Sequence, residues 1–507
     1  LGVAGTGAHT IGFSGGDLTA TSSTITLAGL SPEATTGKWG PVVPWDIVPL
    51  HLHLLPTGKL LGWGKFEDGT NNMVMGSPRL WDPAAGTPAA TAIRVPADTM
   101  LFCAGHSLMA DGKLMVSGGH KLDDRGLDVT NIFDPATETW SHGLPKMAKG
   151  RWYPTVTELG DGRMVTVAGK DTSKSTVLIP EVWENGAWTQ LTGASLLLPY
   201  YPRDFLAPDG KIFMAGERTK SMWLDVNASG GNGAWTNGPS HLWPFNREYG
   251  SAVMYDMGKI LYVGGGGDVT WDTPDPKSLT PTATAEKIDL TQVSPAWQGA
   301  GSLPTPRRHL NATVLPDGQV LVTGGVSGGG FNDLSTSQHA AEIWDPATNQ
   351  WTGLASNSVD RGYHSVSVLL PNATVLHGGS GNAFMPGTST PYPDEESHEI
   401  FQPPYLFKGA RPVISDVTPA TFGYGASVQV NTPNVGQVAK VRLIRLGSVT
   451  HAFDQNGRTM TLPFTSSVGG VSVTAPANAN IAPPGYYMLF ILNRNGVPSD
   501  GKFIRLQ

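Results

Sequence analysis

A single cysteine, Cys103, stands among 507 residues, so no internal disulfide can form. That scarcity fits a cytosolic protein, or a bacterial exported protein that never used disulfides. A lone cysteine is usually buried filler, so Cys103 carries no meaning until its neighbours are read. Charge is scarce too. Asp, Glu, Lys and Arg make up 15 % of the chain, and 34 basic residues face 41 acidic ones for a net charge of −7. This balance argues against nucleic acid or an anionic membrane as a partner. No stretch reaches the ~18 apolar residues of a membrane span, and no 3.6-residue apolar period is sustained. The chain opens at Leu1 with neither Met nor a signal peptide, and so reads as processed or trimmed.

What is plentiful is punctuation, with 64 Gly and 40 Pro. Short strands broken by turns fit such a composition better than helices. A chain of this length exceeds one ordinary core, so at least two domains are expected.

The middle of the chain repeats. Each unit is an apolar stretch, a turn ending in Gly, a second apolar stretch and a Gly-rich close, as in HLHLLPTGKLLGWG, HSLMADGKLMVSGG and NATVLPDGQVLVTGG. The turn residues are Gly58, Gly112, Gly162, Gly210, Gly258, Gly318 and Ala373, spaced by 54, 50, 48, 48, 60 and 55. A turn of this kind links two strands, because Gly tolerates the positive φ that hairpins need. Outer strands carry a W-D-P or T-x-x-W signature, which places Trp140 and Trp351 between blades. The pattern predicts a seven-bladed kelch-type β-propeller over residues 36–408. The segment TGKWGPV around Trp39 reads as an isolated outer strand able to complete the last blade and close the ring. After Pro412 come alternating runs such as SVQVN, KVRLIRL and YYMLFILN, which predict an immunoglobulin-like β-sandwich over 409–507. Residues 1–35 form a polar Thr/Ser/Gly-rich arm with no readable role.

Residues at one position of every blade should ring the propeller axis. Nine residues before each turn stand Pro49, Cys103, Tyr153, Tyr201, Tyr249, His309 and His364, with Tyr363 directly before the last. Six of these seven can ligate a metal or take part in redox or acid–base chemistry. For Tyr201, Tyr249 and His309 the plainer reading is a polar ring that hydrogen-bonds backbone at the strand entries. For Cys103, Tyr153, Tyr363 and His364 together a functional reading is preferred, since imidazole with phenolate suits Cu(II) and axial mouths of propellers are common ligand sites. No C-x-x-C, H-E-x-x-H or EF-hand spacing competes.

At these residues the chain resembles the copper-radical oxidases, the galactose oxidase and glyoxal oxidase family. The matching words are MLFCAGHS, GRWYPTVTELGDGR, RGYHSVSVLLP, EIFQPPYLF and RLGSVTHAFDQNGR, within a resemblance covering roughly residues 38–507. The resemblance implies a thioether between Cys103 and the Tyr153 ring. It implies one copper ion held by Tyr153, Tyr363, His364 and His451. The activity it implies is oxidation of a primary alcohol or hydrated aldehyde, with O2 reduced to H2O2. His451 lies outside the propeller, so a sandwich loop would have to thread along the axis to deliver it. The chain departs from galactose oxidase in having no room for a carbohydrate-binding domain before the propeller. It also has Asp171 where that enzyme places a tryptophan stacked on the cross-linked tyrosine. These departures favour a bacterial glyoxal-oxidase-like member. Trp271, in GGGGDVTWDTP, is the candidate stacking ring, the alternative being an inter-blade packing tryptophan. Arg247, in FNREYGS, is a candidate substrate contact, the alternative being a surface ion pair.

The expected partners are O2 and a small alcohol, aldehyde or glycan. The expected location is outside the cytoplasm, secreted or at the cell surface. The rival from another class is a non-catalytic kelch propeller that binds a glycan or protein; it predicts no metal and a free Cys103 thiol. A propeller glycosidase ranks third, since no repeated S-x-D-x-G-x-x-W box is present.

Overall fold

A computed structural model describes residues 7–9, 25–27, 30–65, 77–85, 91–93, 95, 99–141, 143–266, 280–381 and 393–507. The turn residues decide its architecture. Gly58, Gly112, Gly162, Gly210, Gly258, Gly318 and Ala373 all take a positive φ, between 63° and 98°. Each turn joins the two innermost strands of an antiparallel sheet. Blade 1 begins with His51–Leu54 and Leu60–Trp63, and blade 2 with Gly105–Leu108 and Leu114–Ser117. Blades 3 to 7 begin with Thr155–Glu158, Asp204–Leu206, Ser251–Asp256, Asn311–Val314 and Val366–Leu369. The first two strands of blade 2 are buried at every position, His106, Ser107 and Ser117 included.

The last blade is completed from the other end of the chain. Lys38 pairs with Gln402 and Trp39 with Phe401, so the strand around Trp39 closes the ring as its isolation in the sequence predicted. Its indole Nε1 also donates to Ala355 O of blade 6 at 2.8 Å. The same device recurs around the ring. Trp351 of blade 6 donates to Ala300 O at 2.9 Å, Trp297 of blade 5 to Ser221 Oγ at 2.8 Å, and Trp188 of blade 3 to Thr130 Oγ1 at 2.8 Å. Trp140 lies against Trp63 of blade 1, with ring centroids 6.5 Å apart.

A second repeated device lies under the ring. Arg151, Arg247, Arg307 and Arg361 are buried, and each pairs with a glutamate on the third strand of its own blade: Glu181, Glu286, Glu342 and Glu399. Each also donates to the carbonyl that closes the second strand: Ala168, Gly264, Gly324 and Gly379. A buried guanidinium needs such partners, since an unpaired buried charge is strongly destabilising. Arg247 is therefore no substrate contact. It is 1 % exposed and one of four equivalent struts inside the blades. Burial acts to raise the pKa of its partner Glu286, but hydrogen bonds from His241 and the charge of Arg247 hold it at about 2.

The C-terminal part forms two packed sheets. One contains Asp416–Thr418, Ser427–Asn431, Gly470–Thr474 and Phe464–Ser467; the other contains Thr421–Phe422, Lys502–Leu506, Gly485–Asn493, Val438–Arg445 and Thr459–Leu462. In Ser427–Asn431 only Val428 and Val430 are buried, the period-two pattern of a half-buried strand. One segment leaves the sandwich. Ser448–Thr450 pairs antiparallel with His51–Leu54, adding a strand to the axial side of blade 1. The loop that follows is pinned on several sides. Gln455 Oε1 accepts from the amides of His106 and Val156, Ser251 Oγ donates to Ala452 O, and Arg203 reaches His451 O.

Candidate metal centre

The ring position marks a local backbone feature. Cys103, Tyr153, Tyr201, Tyr249, His309 and His364 all adopt positive φ, at 59°, 67°, 43°, 50°, 57° and 70°. Such a conformation costs a non-glycine residue on the order of 1–3 kcal/mol and collects at functional sites. Pro49, the seventh member, is fixed near −65° and does not share it. Backbone bonds between successive blades hold the turn. Tyr153 N–H donates to Cys103 O at 2.9 Å, Tyr201 N–H to Tyr153 O at 3.0 Å, and His309 N–H to Tyr249 O at 2.9 Å.

Not every ring side chain is left with a polar atom to offer. The Tyr201 hydroxyl donates to Ala104 O at 2.9 Å, and His309 Nε2 meets Phe331 O at 2.6 Å. The Tyr249 ring meets that of Tyr363 edge-on, with centroids 5.4 Å apart. The remaining members meet. Tyr153 and Tyr363 hydroxyls are 2.5 Å apart. The His364 ring stacks on Tyr363 at 3.7 Å between centroids, and His451 lies 4.6 Å from both His364 and Tyr153.

The tautomers of the two histidines follow from their partners. His364 Nδ1 is 2.6 Å from Gly381 O, a carbonyl that can only accept, so Nδ1 carries the proton. His451 Nδ1 is 2.6 Å from Thr450 Oγ1, whose own proton goes to Leu50 O at 3.2 Å. His451 Nδ1 is therefore also the donor. Both Nε2 atoms are left as bare acceptors, buried and without a partner. Burial keeps His364 neutral, with its pKa down to about 3, and pushes His451 well below the usual imidazole range. Two neutral imidazoles with Nδ1 anchored and Nε2 free, beside two phenol oxygens, make a donor set that fits a metal ion. Among the described residues no group of three His, Cys, Asp or Glu gathers in this way, so the phenols are needed to complete a site.

Cys103 is fully buried, and burial raises its thiol pKa far above the usual value; its sulfur lies within hydrogen-bonding reach of Tyr153. The Tyr153 ring is enclosed by aromatics. Trp152 stacks on it at 4.0 Å with 17° between planes, Tyr200 meets it edge-on at 5.0 Å, and Tyr201 lies tilted at 4.9 Å. Trp271 falls in 267–279, outside the described residues. Among the described residues the indole that stacks on Tyr153 is Trp152, which the sequence reading passed over. A signal was available: an aromatic residue precedes the ring position in Phe102–Cys103, Trp152–Tyr153, Tyr200–Tyr201 and Tyr363–His364. Asp171, at the position where galactose oxidase has its indole, accepts from Ser173 and Ser175 and closes a turn.

Residues 85–405 match the family described as Glyoxal oxidase N-terminus, and residues 411–506 match Galactose oxidase-like, Early set domain. The chain belongs to the galactose oxidase and glyoxal oxidase family. A galactose oxidase of Gibberella zeae is 30 % identical, covering 94 % of this chain and 71 % of that one. An aldehyde oxidase of Vitis pseudoreticulata is 28 % identical, covering 82 % of this chain and 83 % of that one. A fungal alcohol oxidase solved in complex with copper superposes with a TM-score of 0.81 at 26 % identity, covering 93 % of this chain and all of that one. Members of this family are copper-dependent oxidoreductases that use O2.

For this family member the Trp152 contact gives a direct expectation. Trp152→Phe should leave copper stoichiometry unchanged, because the indole is not a donor to the site. It should shorten the lifetime of an oxidised Tyr153, measured by decay of its absorption, and lower thermal stability by about 0.5–1.5 kcal/mol, the worth of an aromatic pair. An unchanged lifetime would show that stacking plays no part.

Proposed function

We propose that this oxidase converts a primary alcohol or a hydrated aldehyde to the next oxidation level and passes the two electrons to O2, giving H2O2. One copper ion would be held by Tyr153 and Tyr363 through oxygen and by His364 and His451 through Nε2. The reading rests on one observation: two buried, unpartnered imidazole Nε2 atoms converge with two phenol oxygens 2.5 Å apart. Copper bound there supplies a one-electron acceptor and a Lewis acid that lowers the pKa of a substrate hydroxyl.

The side chains divide the remaining work. Tyr363 takes the hydroxyl proton as general base. Tyr153, joined to Cys103 by a thioether, is the second one-electron acceptor and removes hydrogen from the carbon bearing the hydroxyl. Trp152, Tyr200 and Tyr201 keep water from the oxidised ring. Gly381 O and Thr450 Oγ1 hold the two imidazoles with Nε2 turned inward. The substrate class spans small aldehydes and the primary alcohols of sugars or glycans. A reaction that releases H2O2 suits a place outside the cytoplasm, secreted or at the cell surface.

The test uses the intact chain. Loaded with copper in air, it should lose about two hydrogens of mass, the amount removed when one S–H and one ring C–H are replaced by a thioether. Cys103 should then resist thiol reagents, and a panel of primary alcohols and aldehydes should yield H2O2. Retention of a reactive thiol, with no H2O2 from any member of the panel, overturns the reading.

A further inference from the structure

The innermost strand of blade 1 carries His51 and His53, two residues apart and so on one face of the strand. Neither belongs to the donor set. His51 Nε2 lies 3.1 Å from the backbone nitrogen of Cys103. An amide N–H can only donate, so Nε2 holds a lone pair and Nδ1 the proton. That proton goes to His106 Nε2 at 2.9 Å. His106 must then carry its own proton on Nδ1, which meets Ser448 Oγ at 2.7 Å. His53 Nδ1 reaches the same hydroxyl at 2.9 Å. All four side chains are fully buried. From Cys103 to Ser448 only one arrangement of protons satisfies the bonds, and it runs from the cysteine backbone to the strand Ser448–Thr450, which His451 directly follows. The Trp63 indole stacks on His51 at 5.1 Å and 18°, and is itself held by a bond to Leu101 O at 3.1 Å, so the ring cannot turn away.

Cys103 is one of the left-handed ring residues, at φ 59°. Two bonds grip it: Tyr153 N–H holds its carbonyl and His51 holds its N–H. If residue 103 relaxed to the extended region, Cβ and Sγ would swing off the axis. We propose that His51 is a positioning residue for the thioether: by accepting the Cys103 N–H it holds the conformation that presents Sγ to the Tyr153 ring, and so sets the rate at which the bond forms. The inference rests on the copper-radical reading above. In that step the Sγ–H bond and a ring C–H bond beside the Tyr153 hydroxyl break and the Sγ–C bond forms. Two electrons and two protons pass to O2, the enzyme's own co-substrate, giving H2O2. His51 itself exchanges neither proton nor electron.

Two near-isosteric variants separate the two bonds of His51. His51→Gln places Oε1 where Nε2 stood, keeping the Cys103 bond and giving up His106. His51→Asn keeps a donor for His106 and gives up Cys103. The full chain, made without copper, is supplied with copper and air, and the loss of two hydrogens is followed by intact mass. His51→Gln should mature within about twofold of the unsubstituted rate and His51→Asn about tenfold more slowly, the upper range for one net hydrogen bond. Both should bind one copper, and once cross-linked both should turn over alike. Equal rates in the two variants overturn the inference. Equal and fast means that His51 is not needed; equal and slow means that its packing matters and its bond to Cys103 does not. Nitrogen NMR of labelled histidine, on the unsubstituted chain loaded with diamagnetic Cu(I), checks the same point whether or not the variants fold. The His51 proton is expected on Nδ1, and a proton on Nε2 overturns the inference. Failure of the unsubstituted chain to lose two hydrogens at all overturns the copper-radical reading instead.

Discussion

His364→Ala is expected to lose most bound copper and all turnover while the propeller stays folded. The ring it removes is anchored at Nδ1 and presents Nε2 to the site as a bare, buried acceptor. Loss of a partner that merely supports a ligand costs about 10–100-fold in metal affinity, and loss of the ligand itself should exceed that. The fold should tolerate the change better than the site does. Burial of an unpartnered nitrogen is a cost that alanine removes, although the vacated space weakens packing against Tyr363. Metal content by mass spectrometry and a melting curve of the metal-free protein separate the two effects. Full copper and full activity in this variant would remove His364 from the donor set.

Cys103→Ser should give the opposite pattern. Sulfur is not a donor in the proposed set, so copper should bind with its stoichiometry unchanged. Without the thioether the Tyr153 ring loses the substituent that spreads and stabilises an unpaired electron. The radical absorption should disappear and H2O2 production should fall to background. The substitution is small and apolar burial changes little, so any loss of stability should be well under that of a large-to-small core change, which runs to about 2–5 kcal/mol. A Cys103→Ser protein that makes H2O2 at the unsubstituted rate would exclude the thioether from the mechanism. The pair of variants is more informative than either alone: one removes metal and radical together, the other the radical only.

Much of this was legible because the repeat carries its own register. Counting back from each turn reached the left-handed residue at the axial end of every blade except that of Pro49, and the isolated strand around Trp39 lies where ring closure required it. His451 was different. No count leads to it, because it reaches the axis through a pairing between Ser448–Thr450 and His51–Leu54 that spans most of the chain, and only family resemblance pointed there. Arg247 was misread for a related reason. One arginine beside a candidate site suggests a substrate contact. Four of them at matching places, each with its own glutamate, are structural, and the repeat held that information. Trp152 was not legible from spacing, because it is the left-handed turn at Tyr153 that lets its immediate neighbour fold over the ring.

The way the chain supplies its axis also sets an order of events during biosynthesis. Synthesis proceeds from the N-terminus, and domains tend to fold as they emerge. Lys38–Trp39 must wait for Ser397–Gln402 before the seventh blade is whole. The axis must wait longer, until the segment carrying His451 has left the ribosome and paired with blade 1. Cys103 and Tyr153 are among the first ring residues made and His451 comes last, so a chain that has not reached residue 451 lacks one of the four proposed donors. On the proposed donor set, a product that stops short of residue 451 is therefore expected to be inert.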